Sequence, residues 1–185
     1  MNDISPGVGR LCRLIRLGSI VFVVGVLAIY FVTWFWPSLL SGGPHFVINM
    51  RLAGLPATAL AELSVADRML IGAVSLPYLA ALIWAFYRLD GMLRGFERGE
   101  FFERATVGHL RAFSGYLLLA KLLSLLAMHA RVAALVHLMG HEHVRPVVNL
   151  SSDDMSVLLM CALFFLIARM MEEGRKLAEE NREFV

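Results

Sequence analysis

Lys121 is the residue of this sequence whose position most needs a chemical explanation. It lies in the apolar segment Ala112 to Met128, ten residues after Arg111, which corresponds to roughly 15 Å along a helix. A cation at that depth in a bilayer costs about 3 kcal/mol on insertion scales. No Asp or Glu lies inside the apolar segments of the chain. The sequence therefore predicts that Lys121 has no carboxylate partner within the membrane.

Two interpretations of Lys121 follow from this position. In the first, its side chain extends to the inner membrane surface or stays neutral in a polar pocket. In the second, Lys121 is the centre of an intramembrane polar site for an anion, a lipid headgroup or a proton. Tyr78, Ser124 and Cys161 are expected at a similar depth, together with a carbonyl group that Pro77 frees.

Three histidines, His137, His141 and His143, form the pattern H-x3-H-x-H. Two histidines four residues apart on a helix can share a metal ion, and a third ligand can follow from a turn. The alternatives are a zinc or copper site, a pH-sensitive cluster and a solvated loop whose histidines have no specific role. Gly140 favours the loop, because it interrupts the segment. No other residues of the chain predict a metal ion or a cofactor.

The connector, Arg88 to Arg111, is the one long charged segment between apolar ones. Its charges alternate with aromatic and aliphatic side chains. This pattern predicts either an amphipathic segment on the lipid surface or a docking surface for a cytoplasmic partner. The docking residues would be Arg94, Phe96, Arg98, Phe101 and Phe102.

The tail, residues 172–185, follows the last apolar segment and is highly charged. Its pattern predicts a helix in which Glu172 and Lys176 pair one turn apart. Glu179 and Glu180 are candidates to pair with the docking arginines of the connector, and the alternative is a solvated helix.

The elements that must position these residues are membrane helices. The chain is 58% hydrophobic and only 17% charged, whereas about a quarter of the residues of a soluble domain are charged. The apolar runs are long and do not alternate, which excludes a barrel and predicts a single all-α membrane domain with four transmembrane helices. The predicted spans are residues 17–36, 69–87, 112–128 and 155–171.

The ends of these spans carry local signals. The first span is longer than the core of a signal peptide and ends in Trp34, Phe35 and Trp36, which predicts a retained anchor with an interfacial aromatic belt. Pro77 is expected to kink the second span, and Gly99 is expected to end the helix that continues from it.

Both predicted outer loops contain a candidate strand. His45 to Leu52 and Val144 to Ser151 are rich in residues that favour strands. We expect them to pair into a short extracytoplasmic β element, supported by the helix ends because an isolated two-stranded ladder is marginal.

The distribution of Lys and Arg predicts the orientation of the chain. The three segments on one side of the predicted spans carry twelve of these residues, and the two loops on the other side carry four. The positive-inside rule therefore predicts that both termini are cytoplasmic.

Enzymatic activity and nucleic-acid binding find no support in the motifs. The sequence has no glycine-rich phosphate loop, no nucleophile elbow and no pair of intramembrane carboxylates. Membrane topology accounts for the basic residues, so direct nucleic-acid binding is not predicted.

Two short motifs resemble those of the DUF2975 family of small bacterial four-span membrane proteins. The central segment GEFFERATVGHLRAFSGY and the ending EEGRKLAEENREFV carry the resemblance. The matching residues are Gly99, Phe101, Phe102, Leu110 and Arg111 in the first motif, and Leu177, Glu179, Glu180 and Val185 in the second. The family has no established activity, and the resemblance implies a regulatory pairing with a small helix-turn-helix protein.

The leading hypothesis is a regulatory or interaction protein that acts from the lipid bilayer, through its connector and tail, on a cytoplasmic regulatory protein. The alternative is a small transport or channel component centred on Lys121. Because four short helices enclose little volume, that component is expected to be a homo-oligomer.

Overall fold

The chain forms α-helices, as a computed structural model describes for residues 6–35, 64–100, 103–139 and 152–183. The helices are α1 (Pro6–Phe35), α2 (Val65–Ala73), α3 (Leu76–Glu97), α4 (Arg104–Met139) and α5 (Ser152–Glu183). No strand occurs within these four ranges. The two predicted strands, residues 45–52 and 144–151, lie outside them, so the β element stays a prediction.

Three helical segments are long and apolar enough to cross a membrane: Gly9–Val32, Arg104–Arg131 and Asp154–Leu177. Helices α2 and α3 meet the same criterion as a pair bent by 46°, and they make a fourth if the pair is one span. These segments overlap all four predicted spans. Many of their outward side chains are large and apolar, as lipid contact requires. Examples are Leu17, Val21, Leu126, Leu163 and Leu166.

The bend between α2 and α3 confirms the kink predicted at Pro77. Proline has no N–H to donate to the carbonyl four residues earlier, and its ring collides with that carbonyl. Accordingly α2 ends at Ala73, and Pro77 lies in the first turn of α3. At the other end of α2, the hydroxyl of Ser64 accepts a hydrogen bond of 3.2 Å from the N–H of Asp67, which caps the helix.

Gly99 ends α3 as predicted, with a left-handed φ of 80°. Its N–H donates to the carbonyl of Phe96 at 3.1 Å, and the N–H of Glu100 donates to the carbonyl of Gly95 at 3.0 Å. This pair of bonds is the Schellman motif, which satisfies carbonyls at the end of a helix.

We expect Gly99→Ala to destabilise the protein by about 1 kcal/mol, because an L-residue is sterically strained at positive φ. The measurement is unfolding in mixed detergent micelles. Gly174→Ala is the control, since a Cβ at Gly174 meets no atom within 4 Å. Equal stabilities of the two variants would contradict the prediction.

Helices α3 and α4 approach each other closely at Gly91 and Gly95, which form a G-x-x-x-G motif. A Cβ at Gly91 would lie 2.9–3.0 Å from ring atoms of His109, and a Cβ at Gly95 would collide with Thr106 Oγ1. Small residues at this spacing let helix backbones come together. The motif therefore lets α3 and α4 form a tightly packed hairpin.

A layer of four phenylalanine rings crosses the bundle, with one ring from each of α1, α3, α4 and α5. The ring centroids of Phe22 and Phe86 are 5.3 Å apart, those of Phe86 and Phe113 are 6.4 Å apart, and those of Phe113 and Phe164 are 5.5 Å apart. Because these rings are in contact, they show which residues of the four helices lie at the same height. We call this set the phenylalanine layer.

The far end of α1 packs against α2. The ring of Trp34 is buried and lies over Gly72, and the hydroxyl of Tyr30 donates to the carbonyl of Gly72 at 2.9 Å. Trp34 therefore packs within the protein instead of facing lipid, which corrects its assignment to the aromatic belt. Phe35 is about half exposed, which fits that belt, and Trp36 lies outside the described residues.

Candidate functional site

The side chain of Lys121 forms an ion pair with Asp154, which lies in the first turn of α5. Both side chains are largely buried, with exposed fractions of 20% and 12%. The prediction that Lys121 has no carboxylate partner within the membrane is therefore wrong. The sequence places Asp154 at the outer end of the fourth span, whereas α5 begins at the depth of Lys121.

The height of this ion pair follows from the packing of the helices. Lys121 lies midway between Arg111 and Arg131, with no other Asp, Glu, Lys or Arg between them. The contact of Phe113 with Phe164 places the first turn of α5 beside the middle of α4. The ion pair therefore lies near the centre of the apolar part of α4, roughly 15 Å from either flanking arginine.

The length of the apolar segment in α5 is the sequence signal that reveals this arrangement. Only fourteen residues separate Asp154 from Arg169, and they span about 21 Å as a helix. A hydrocarbon core is about 30 Å thick. If this segment crosses the membrane, one of the two charged residues must lie inside the core, and Asp154 is the one with a buried partner.

The position of Asp154 on its helix supports its ion pair with Lys121. Asp154 lies in the first turn of α5, where the positive end of the helix dipole stabilises a negative charge. The hydroxyl of Ser156 donates to the carbonyl of Ser152 at 2.9 Å, so this end of α5 carries several polar groups. Removing one partner of a buried pair is strongly destabilising, because the other charge is left uncompensated.

The other residues predicted for this polar site take separate places. Tyr78 packs against a cluster of small and aliphatic residues on α3 and α4. Ser124 is half-buried, one turn along α4 from Lys121. Cys161 is buried two turns after Asp154, on the same face of α5. The cluster that Tyr78 contacts consists of Ala81, Leu82 and Ala120.

The arginines predicted to dock a partner have different surroundings. Arg94 forms a 2.6 Å ion pair with Asp90, and Asp90 also pairs with Arg16 of α1 at 2.6 Å. This three-residue network ties α1 to α3. Arg98 follows one turn later and is exposed, so its side chain is accessible to a ligand.

The aromatic docking candidates are only partly within the structure. Phe96 is partly buried and packs on a core cluster, and its assignment to a docking surface stays a prediction. Phe101 and Phe102 lie outside the described residues. The first part of the connector forms about the last three turns of α3, as expected from the helix that ends at Gly99, and its last part opens α4. The core cluster contains Cys12, Met92, Leu93, Leu110 and Ala168.

The tail continues α5 as a helix, as predicted, but its charge pairs differ from the expected one. Glu172 accepts from Arg175 at 2.9 Å, and Lys176 pairs with Glu173 at 3.4 Å. Lys176 also interacts with Glu172 through its charge, so the predicted interaction one turn apart is present without a direct ion pair. Glu179 and Glu180 belong to α5, but the structure does not describe their side chains, so their pairing with the connector stays a prediction.

The histidine cluster is also only partly within the structure. His137 is exposed near the end of α4, and His141 and His143 lie outside the described ranges. Among the residues that the structure covers, no group of three His, Cys, Asp or Glu could hold a metal ion. The three-histidine metal site stays a prediction.

Comparisons with models of protein families, with curated proteins and with solved structures found no match. The resemblance to the DUF2975 family stays a prediction. The buried ion pair and the helix that carries its carboxylate are the features of this chain that bear on function.

Proposed function

We propose that this chain is a regulatory protein of the bacterial inner membrane, with both termini cytoplasmic, that relays a change in the membrane interior to a cytoplasmic partner. The observation that supports the proposal is the Lys121–Asp154 ion pair. Ionisable residues in the middle of an apolar bundle are costly and commonly functional. In a medium of low dielectric constant, the energy of such a pair changes strongly when a proton or a competing ion reaches it.

Helix α5 is the means by which the relay acts. It runs without interruption from Ser152 to Glu183, so it is a rod of about 48 Å. Asp154 lies at one end of this rod, and the tail lies at the other. Making or breaking the ion pair shifts the packing of α5 against α4, and the tail moves with it. Leu177, which is 60% exposed on the tail, is an apolar contact point for a soluble partner.

The test compares partner capture in cells that carry the native ion pair or an apolar replacement of it. A photo-crosslinking residue replaces Leu177, and a matched control places it at Met160, an exposed residue in the apolar part of the same helix. The second background carries Lys121→Met and Asp154→Leu together. Apolar replacement of a whole buried pair is often neutral or stabilising, so this double variant is expected to keep the fold.

We expect position 177 to capture a soluble protein that position 160 does not capture. The yield of that adduct should change by at least about fivefold in the double variant, the lower end of typical coupling between sites. An unchanged yield in a folded double variant would refute the relay. Capture of lipid alone at position 177 would refute the cytoplasmic partner.

A second candidate function is transport through an oligomer. The first turn of α5 lies beside the middle of α4, and this position favours transport. Transporters often direct the N-terminus of a broken helix at the middle of the membrane. Flux of small anions or protons into liposomes is the measurement. Flux that the Lys121→Met, Asp154→Leu double variant abolishes would support transport, and no flux from the native protein would exclude it for the ions tested.

A further inference from the structure

A cleft of about 230 Å³ lies between the last turns of α3 and the first turns of α4. It is separate from the Lys121–Asp154 pair and lies beyond the phenylalanine layer, next to the α3–α4 turn. Its volume is below the roughly 300–1,000 Å³ of typical small-molecule pockets, which suits a single small polar group. The residues that give it chemical character are Arg94, Arg98, Glu100, Thr106 and His109.

The charged residues that line the cleft are two arginines and two carboxylates, and Arg16, which also pairs with Asp90, brings this group of charges to a net +1. Arg94 and Arg98 lie one turn apart on α3, and both line the cleft. Asp90 also lines it, but its carboxylate is already engaged by Arg16 and Arg94. Arg98 pairs with no carboxylate in the part of the chain that the structure covers. The cleft therefore presents a guanidinium that can bind an anion in a bidentate manner.

His109 contributes a buried ring nitrogen to the cleft. Its Nδ1 atom is buried and has no hydrogen-bond partner among the described residues. The ring lies directly over Gly91, where any side chain would collide with it. A buried polar atom without a partner costs free energy. An oxygen atom placed in the cleft is the kind of group that satisfies an imidazole nitrogen.

Aromatic residues place the cleft at a membrane interface. Tyr87 lines it and contacts Trp84, with ring centroids 5.9 Å apart. Trp84 also contacts Tyr116 at 6.3 Å. Trp84 and Tyr87 are about half exposed or more, and exposed Trp and Tyr side chains concentrate at the level of lipid headgroups.

We propose that this cleft binds a phosphate group, which Arg98 and His109 hold together. Two sources share this chemistry: the headgroup of an anionic phospholipid, and a small soluble phosphate ester. The position beside the interfacial aromatic rings brings the headgroups of the surrounding bilayer to the cleft. Glu100, as an acidic lining residue, limits the affinity by repulsion.

The test uses the full chain in mild detergent and native mass spectrometry. One arm titrates phosphatidylglycerol, and the other titrates glycerol 3-phosphate, which has no lipid chains. The variants are Arg98→Gln, Glu100→Gln and His109→Phe, which keeps an aromatic ring. The matched control is Arg169→Gln, because Arg169 is an exposed arginine of α5 that does not line the cleft.

We expect one phosphatidylglycerol to bind to the native protein. Its affinity should fall about tenfold in Arg98→Gln, as the loss of a charge-assisted hydrogen bond implies, and it should also fall in His109→Phe. It should rise in Glu100→Gln and stay unchanged in Arg169→Gln. Binding of glycerol 3-phosphate alone, with the same dependence on Arg98, would assign the site to a soluble phosphate ester.

Two results would overturn the phosphate site. One is that Arg98→Gln lowers the affinity for phosphatidylglycerol no more than Arg169→Gln does. That result would show a general attraction of the lipid to basic surface residues. The other is the absence of binding in both titrations. Neither result bears on the relay through α5, since the cleft residues are distinct from Lys121 and Asp154.

Discussion

Lys121→Met is expected to destabilise the protein by about 3–5 kcal/mol, the effect of leaving one charge of a buried pair without its partner. The variant keeps a side chain of similar length but removes the cation that pairs with the buried carboxylate of Asp154. Asp154→Leu should cost a similar amount, because it leaves the ammonium group of Lys121 uncompensated. Reversible unfolding in mixed detergent micelles measures both values.

The double variant distinguishes a broken pair from lost packing. Lys121→Met with Asp154→Leu should recover most of the lost stability, to within about 1 kcal/mol of the native protein. The exposed pair of Arg169 with Glu173 on α5 is the matched control. Arg169→Met should cost less than about 1 kcal/mol. Additive losses in the Lys121 and Asp154 variants would show that the two charges do not interact.

Gly95→Ala is expected to destabilise the protein by about 1–3 kcal/mol, although alanine is the better helix former. The new Cβ would overlap with Thr106 Oγ1 and lie 3.1–3.2 Å from the Cγ2 and Cβ atoms of Thr106. Thr106 is itself buried, so relief requires α4 to move away from α3. The same unfolding measurement applies.

A compensating substitution tests this origin of the effect. Thr106→Ala removes both γ atoms, including the one that overlaps, so Gly95→Ala with Thr106→Ala should be more stable than Gly95→Ala alone. Gly108→Ala is the control, since a Cβ there meets no atom within 4 Å. It should be neutral or stabilising by up to about 1 kcal/mol. A loss as large as that of Gly95→Ala would refute the steric explanation.

The features that the sequence predicts correctly depend on local rules. Pro77 interrupts a helix wherever it lies, because its ring and its missing N–H act on the preceding turn. Gly99 accepts a positive φ without a steric penalty. Composition and run length are enough to find the apolar helices, since bilayer thickness sets their length.

The features that the sequence does not predict depend on how the helices align with one another. Whether Asp154 meets Lys121 is decided by the height at which α5 packs against α4. The short apolar segment after Asp154 restricts that height, but it does not identify Lys121 as the partner. His109 likewise meets Gly91 only because α3 and α4 form a hairpin.

The phenylalanine layer has a consequence for how the two polar regions of the bundle communicate. It lies between the Lys121–Asp154 pair and the cleft at the α3–α4 turn, and it has a ring from each of four helices. Because each ring touches the next, a shift or rotation of one helix displaces the rings of its neighbours. The two polar regions are therefore linked through these ring contacts, in addition to the backbones of the helices that carry them.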